Sequence, residues 1–372
     1  MLRQCTHQRH QAFLDTIAVS APSTAQLQKY LSALSRFWHP VARGEQVSKH
    51  HPLGVTLLGR KLVVARLNGN VVALDGFCRH FQAQLALGDI TSINGHDCLR
   101  CPYHGWSYGD DGMCRHIPQL AADKRIPPSA RITSYSTTER HGLVWVCLDN
   151  SAHSPVPQFP EYEDPAFRTV ALDEPVATAA SAMRVILGTL DDTHFPWVHE
   201  GILGSRDDAA PPDHEVWREG TTLRCRYDIV QPANQTSTDT SAKPDATTPG
   251  ASTVELAYDN TVYMPTAMRL VKDSPAGRYV VWLACCPVDS VTTINFWAFA
   301  RNYDLAPERD ADYATFSQRV RDQDKPVIES QRPALVPPLS AGISLAMAPA
   351  DAPLIEYLRW LEELNLTVTP DS

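Results

Sequence analysis

The chain has 372 residues, 43% hydrophobic and 20% charged, which is too long for one ordinary core and suits a globular protein of two domains. A formal charge of −9 argues against a nucleic-acid surface, and no apolar run reaches the length of a transmembrane helix or the core of a signal peptide. Nine cysteines without regular spacing exclude a disulfide framework and point to thiols in a reducing compartment, so cytoplasm is the expected location.

Residues 1–19 are polar and rich in His and Gln and read as a tail, which with a short helix makes up an N-terminal segment over 1–36. From Phe37 to about Asn150, β-type runs at 55–58, 62–65, 71–74 and 143–146 alternate with Gly, Asn and Asp. Asn68-Gly69-Asn70 separates two of them and predicts a tight hairpin. The pattern is a small antiparallel all-β domain over 37–150. The stretch 151–165 carries several prolines and no periodicity, and reads as the connection to a second domain over 151–372. That domain mixes a helical stretch near 177–197 with β runs at 254–263, 279–285 and 291–300, then helices over 309–323 and 354–364. This is an α+β arrangement with an antiparallel sheet. Residues 231–252 hold few large apolar side chains, cannot offset their ordering entropy by burial, and predict a flexible loop.

Two loops of the first domain carry chemistry. Cys78-Arg79-His80 and Cys101-Pro102-Tyr103-His104-Gly105-Trp106 each offer one thiolate and one imidazole. Two cysteines and two histidines so paired are the ligand set of a Rieske [2Fe–2S] centre, in which histidines replace the cysteines on one iron and raise the reduction potential. Structural zinc accepts the same donors, but its sites pair like with like, as C-x₂₋₄-C followed by H-x₃₋₅-H, whereas each loop here mixes the two. Cys98-Leu99-Arg100-Cys101 has the spacing of a redox CxxC, yet Pro102 follows in a loop where a helix should open. Cys98 therefore reads as a buried strand residue.

Asp191-Asp192-Thr193-His194-Phe195-Pro196-Trp197-Val198-His199 sets two histidines five residues apart, with an aspartate three before the first. On a regular helix that spacing turns the second side chain about 140° from the first. Convergence on one metal then requires the helix to deform, for which Pro196 supplies a cause. Two histidines and a carboxylate on one face of the metal are the arrangement of non-haem Fe(II) oxygenases. The histidine pair is weak by itself and gains meaning from an electron-relaying cluster upstream in the same chain.

The order CxH, CPYHGW and Asp-x₂-His-x₄-His resembles the oxygenase component of Rieske non-haem iron oxygenases over roughly 37–364, closest to the group of aromatic O- and N-demethylases. Phe37-Trp38-His39-Pro40-Val41-Ala42, His199-Glu200-Gly201-Ile202-Leu203-Gly204 and Glu329-Ser330-Gln331-Arg332-Pro333 carry the resemblance further. It implies an N-terminal Rieske domain followed by a helix-grip-like catalytic domain. It assigns Cys78 and Cys101 to one cluster iron, His80 and His104 to the other, and His194, His199 and a carboxylate to mononuclear Fe(II). By the same alignment the carboxylate is Asp324, five residues before Glu329, with Asp322 as its rival. Asp191 matches the family's bridging aspartate, which links an iron-ligating histidine to a cluster histidine of the neighbouring subunit and so implies a homotrimer. Two positions depart from the family: Gly188 stands where Asn is frequent, and Phe81-Gln82 follow the first cluster histidine where Arg is common.

The implied activity is that of a terminal oxygenase. A separate reductase of flavin or ferredoxin type passes electrons from NAD(P)H to the cluster and on through Asp191. With O₂ the chain then hydroxylates, or oxidatively demethylates, a small aromatic or alicyclic substrate. Monooxygenase and dioxygenase outcomes both remain open at this level. Pocket residues are expected from 178–187, 254–263, 279–284 and 295–299. An electron-transfer or binding protein that has lost oxygenase activity would lack the three iron ligands, all present here. A zinc-stabilised interaction protein would give a colourless preparation. Neither nucleic acid nor membrane is expected as a partner.

Overall fold

The computed structural model describes residues 22–121, 123–149, 151–172, 175–238 and 252–369, so the expected tail over 1–19 and most of the loop expected at 231–252 lie outside the described residues. Helix α1 (Thr24–Leu34) opens on Ser23, whose hydroxyl accepts the Gln26 N–H while the Gln26 side chain accepts the Ser23 N–H, a reciprocal cap. It buries Tyr30 and Leu34 in the main core.

The strands expected from the N-terminal half all form. Leu53–Leu57, Arg60–Leu67, Asn70–Asp75, Ser134–Arg140, Leu143–Cys147 and His39–Arg43 lie side by side in one antiparallel six-stranded sheet. Asn68 and Gly69 take φ of 53° and 85°, the paired positive values of a type I′ turn, which matches the twist of the strands it joins. A second antiparallel sheet of four short strands, Asp89–Ile93, His96–Arg100, Ser107–Tyr108 and Cys114–His116, carries the two cysteine-histidine loops near its ends. Cys98 sits in its second strand, buried, as the sequence indicates.

The C-terminal half is built on an eight-stranded antiparallel sheet. Its path runs Arg168–Ala171, Thr293–Arg301, Gly277–Pro287, Ala267–Ser274, Thr253–Tyr263, Thr222–Pro232, Glu215–Glu219, and Val176–Thr178 pairs with the other end of Thr293–Arg301. Helices α2 (Ala182–Leu190), α3 (Phe195–Val198), α4 (Asp310–Ser330) and α5 (Ala352–Glu363) complete it, with α2 packed on α4, α5 and the Gly277–Pro287 strand.

Three expectations need correction. The helix expected over 177–197 is a strand to Thr178, then α2, a turn, and the single turn of α3. The helix expected to stop at Gln323 runs on to Ser330 through Pro326. Proline leaves one carbonyl unpaired, that of residue 322, and Asp322 is exposed, where water can take it. The start of the loop expected at 231–252 is not loose: Gln231 and Pro232 end a strand, and Gln231, Asn234, Thr236 and Ser237 are buried. Burial of polar residues is tolerated where their groups are paired, as in Asn234, Thr236 and Ser237, while Gln231 keeps only its Oε1 bonded, to the Tyr258 hydroxyl. Here Asn234 Oδ1 accepts from both the N–H and the hydroxyl of Thr236, at 2.9 and 2.6 Å.

One core joins the two halves, with Val144 and Trp145 of the first sheet in the same cluster as Trp282 and Leu283 of the large one. Leu58 and Gly59 donate their N–H groups to Pro287 and Val288 carbonyls at 2.8 and 2.6 Å. The proline-rich connection is pinned as well: the Phe159 ring stacks on Trp282 at 5.1 Å, and buried Glu161 pairs with Arg269. Among the described residues no helix is long and apolar enough to cross a membrane.

Candidate active site

The two loops of the N-terminal half meet. Each is a tight hydrogen-bonded turn: Cys78 N–H donates to Ala83 O at 2.9 Å, and Cys101 N–H donates to Trp106 O at 2.8 Å. Gln82 and Gly105, at φ of 57° and 74°, provide the left-handed positions that close them. Cys78 and Cys101 are buried with their thiols in contact, and the His80 and His104 rings stand 4.8 Å apart. Trp106 stacks on His80 at 4.6 Å, and the Tyr108 hydroxyl reaches Cys78 Sγ at 3.1 Å. Burial, with the facing Cys101, pushes the Cys78 thiol up, and His80 Nδ1 is buried without a hydrogen-bond partner. A buried thiol that resists ionising, facing a second thiol and next to an orphaned imidazole nitrogen, fits a shared cationic group.

The second group comes from α3 and α4. His194 caps the start of α3 and His199 its end. Pro196 does not bend a continuing helix, as the spacing suggested. It lies in the first turn of α3, where a missing N–H costs no bond, and the chain has already broken at Asp191. Gly204 folds back so closely that a Cβ there would lie 2.7 Å from Pro196 N, which fixes the exit of the turn.

His194 Nδ1 donates to Asp191 Oδ2 and His199 Nδ1 donates to Gln323 Oε1, both at 2.9 Å. Each ring therefore turns Nε2 inward, at 3.5 Å for His194 and 2.9 Å for His199 from Asp324 Oδ1. The ligand atoms of His194, His199 and Asp324 lie within 4.8 Å of one another. Burial lowers the His194 pKa, but Asp191 and Asp324 outweigh it and raise it to about 9, which shows how strongly the point attracts positive charge. Two imidazoles and a carboxylate converging there fit a mononuclear divalent iron. Asp322 is not part of the group. It is exposed, on another face of α4, and accepts from Gln318 Nε2 at 2.5 Å.

A cavity of about 110 Å³ adjoins the three residues, on the scale of a single aromatic ring (roughly 150 Å³ holds benzene). Tyr258, Tyr279, Val281, Trp297 and Ala298 line it, from three of the four expected segments. The segment 178–187 contributes none, because α2 carries Gly188 and Thr189 to the wall instead. Sequence reasoning missed Leu270 and Lys272, two residues apart on one strand, and the α4 face of Phe316, Ser317, Val320 and Arg321. The helical spacing of that face from Asp324 was the available signal. Gln323 and Tyr108 were missed too, since nothing local marks their partners.

Comparison with known proteins bears on the same two regions. Residues 37–136 match the family described as Rieske [2Fe-2S] domain, and residues 179–366 match the vanillate O-demethylase oxygenase C-terminal domain. The chain is 34% identical over 340 residues to the methylxanthine N3-demethylase NdmB of Pseudomonas putida, covering 90% of each chain. It is also 34% identical to the N1-demethylase NdmA of that organism, over 89% of each. The solved structure of NdmA with caffeine superposes with a TM-score of 0.76 at 32% identity, covering 91% of this chain and 92% of the other.

Proposed function

Because the chain belongs to the Rieske non-haem iron oxygenases, we propose that Cys78 and Cys101 bind one iron of its [2Fe–2S] cluster, His80 and His104 the other, and His194, His199 and Asp324 its mononuclear Fe(II). As a terminal oxygenase it uses O₂ and electrons from a separate reductase. When bound, the cluster supplies single electrons and the mononuclear iron supplies the reduction of O₂. The cluster unit spans 37–150 and the catalytic unit 151–372.

The side chains do the rest. Asp191 and Gln323 fix the tautomers of His194 and His199 so that Nε2 of each faces Asp324. Apolar walls from Phe195, Leu203, Leu270, Val281, Phe316 and Val320 hold an aromatic ring and exclude water from the reacting carbon. Asp191 is the bridge for electrons. Its side chain stays 20% exposed beside His194, open to a cluster histidine of a neighbouring subunit, and the working assembly is a homotrimer. Phe81 and Tyr103, 69% and 65% exposed beside His80 and His104, give the cluster tip the apolar rim such docking needs.

The reaction is oxidative demethylation of an N- or O-methylated aromatic. One atom of O₂ enters the methyl C–H bond, and the other leaves as water with two electrons and two protons. The hydroxymethyl product then breaks its C–N or C–O bond to release formaldehyde. N-demethylation by the two relatives and the O-demethylase family of the C-terminal domain support this monooxygenase outcome. Eight buried unpaired cysteines among the described residues support a reducing, cytoplasmic setting.

The observation that carries the reading is the convergence of His194, His199 and Asp324 on one wall of a ring-sized cavity. Its test is metal analysis and electron resonance of anaerobically purified protein, then turnover with NAD(P)H and a surrogate reductase. About three irons per chain, a Rieske signal and formaldehyde from N-methyl or methoxy aromatics are expected. Protein that holds two irons and cannot take up a third from added Fe(II) rejects the role of the three residues.

A further inference from the structure

Lys272 is 2% exposed and lies mid-strand on the cavity-facing side of Ala267–Ser274, next to Leu270. Its register partners on the two adjoining strands, Tyr258 and Tyr279, line the same cavity. A protonated lysine has three N–H donors. One reaches Thr236 Oγ1 at 2.8 Å, whose own hydrogen goes to Asn234 Oδ1 at 2.6 Å, and Asn234 is held by Ile202 O at 3.1 Å. Among the described residues the other two donors have no partner, and no carboxylate lies within ion-pair distance of Lys272. Asp273, on the opposite side of the strand, is paired with Arg278 at 2.8 Å.

Arg321 of α4 reaches the same cavity. Its Nε donates to Ser317 O at 3.2 Å and its Nη2 to Gln318 Oε1 at 2.5 Å, while Nη1 is buried without a partner. Tyr279 and Ser317, whose hydroxyls lie 3.1 Å apart, connect the strand beside Lys272 to the helix of Arg321. One side of the cavity is thus polar, with Lys272 buried, Arg321 partly buried, and spare donors on both.

Burying a cation without a counter-charge is costly, and an apolar side chain of similar length would fill the space on the strand. Resting on the oxygenase reading above, we infer that the substrate is a small aromatic molecule bearing an anionic oxygen group, a carboxylate being the type case, which Lys272 receives with Thr236 beside it and Arg321 as a second donor. Lys272 is then a specificity-determining residue. It completes its donor set only with such a ligand, and by anchoring that group it fixes which methyl faces His194, His199 and Asp324.

The test is calorimetric titration of holoenzyme with 4-methoxybenzoate, with its uncharged amide 4-methoxybenzamide, and with caffeine as a neutral methylated control. Wild type is compared with Lys272→Met and Lys272→Arg, each checked for iron content and melting temperature. The benzoate is expected to bind wild type, to weaken by about 10- to 100-fold in Lys272→Met, and to recover most of its affinity in Lys272→Arg. The amide should bind wild type more weakly and be indifferent to Lys272→Met. Equal affinity for benzoate and amide, no measurable benzoate binding by wild type, or an unchanged benzoate affinity in Lys272→Met of native iron content, each overturns the inference. If one of these results overturns the inference, formaldehyde released from caffeine by wild type would still leave the oxygenase reading standing.

Discussion

Asp191 Oδ2 holds His194 Nδ1 at 2.9 Å while its other oxygen accepts the N–H and the hydroxyl of Thr193 at 3.0 and 2.7 Å. The carboxylate is thus locked by the turn that ends α2, and in turn locks the imidazole. Asp191→Asn leaves a single side-chain oxygen for three donors and removes the charge. We expect the cluster spectrum to stay native, mononuclear iron to be retained to within about tenfold in affinity, and turnover to fall by about 100-fold or more. The decisive measurement is the rate at which O₂ reoxidises the pre-reduced cluster with substrate bound. A wild-type rate in Asp191→Asn removes the residue from the electron path.

Gln323 serves His199 as Asp191 serves His194, with an amide oxygen in place of a carboxylate, and His199 itself is 1% exposed. Gln323→Leu leaves a buried Nδ1–H without an acceptor, which costs about 1–3 kcal/mol. Fe(II) affinity should drop about 10- to 100-fold with the cluster intact. Gln323→Glu keeps the acceptor and makes the imidazole a stronger donor, so its affinity should match or exceed wild type. Anaerobic Fe(II) titration separates these, and equal affinities in all three chains would show that Gln323 does not orient the ring.

Much of this was legible because short motifs carry fixed chemistry. CxH, CPYHGW and the two histidines are local, and the hairpin at Asn68-Gly69 follows from backbone sterics alone. The carboxylate Asp324 was reached through a family alignment, since no local pattern distinguishes it from Asp322. Only the winding of α4 separates the two, because a step of two residues turns a side chain through about 200°. What stayed hidden depends on tertiary neighbours. Lys272 reads in sequence as one more strand residue, and its isolation appears only when three strands and the Asn234–Ser237 turn enclose it. Gly188 reads as a missing polar residue, whereas the space beside it is filled by Ile328.

That replacement is itself testable. A Cβ at position 188 would meet Ile328 Cδ1 at 2.8 Å and Cγ1 at 3.1 Å, so the glycine admits the isoleucine. Glycine inside α2 costs about 0.5–1 kcal/mol relative to alanine in helix propensity. Gly188→Ala alone should leave stability near wild type, the helix gain being cancelled by the contact. In an Ile328→Val background, which removes Cδ1, the same change should stabilise by about 0.5 kcal/mol or more. Denaturant unfolding of the four chains gives the coupling, and strict additivity would mean that Ile328 does not set the residue at 188.

Lys272 also makes stability depend on pH. Burial lowers its pKa from 10.5 to about 7, and the groups facing it do not compensate: Tyr258 and Tyr279 are neutral phenols raised by burial, Arg321 is a cation, and Asp324 is drawn to His194 and His199. The unfolded chain keeps the proton up to about pH 10.5, whereas the folded chain gives it up near 7. Between those values unfolding takes up a proton, so this residue makes wild type more stable as pH rises and costs it most below about pH 7. Lys272→Met lacks the penalty. It should unfold at higher denaturant than wild type near neutral pH, by on the order of 4 kcal/mol, and the gap should narrow steadily toward about pH 10. Titrations common to both chains cancel in the difference. A gap that is constant across this range would mean that Lys272 is not forced to choose between its charge and its burial.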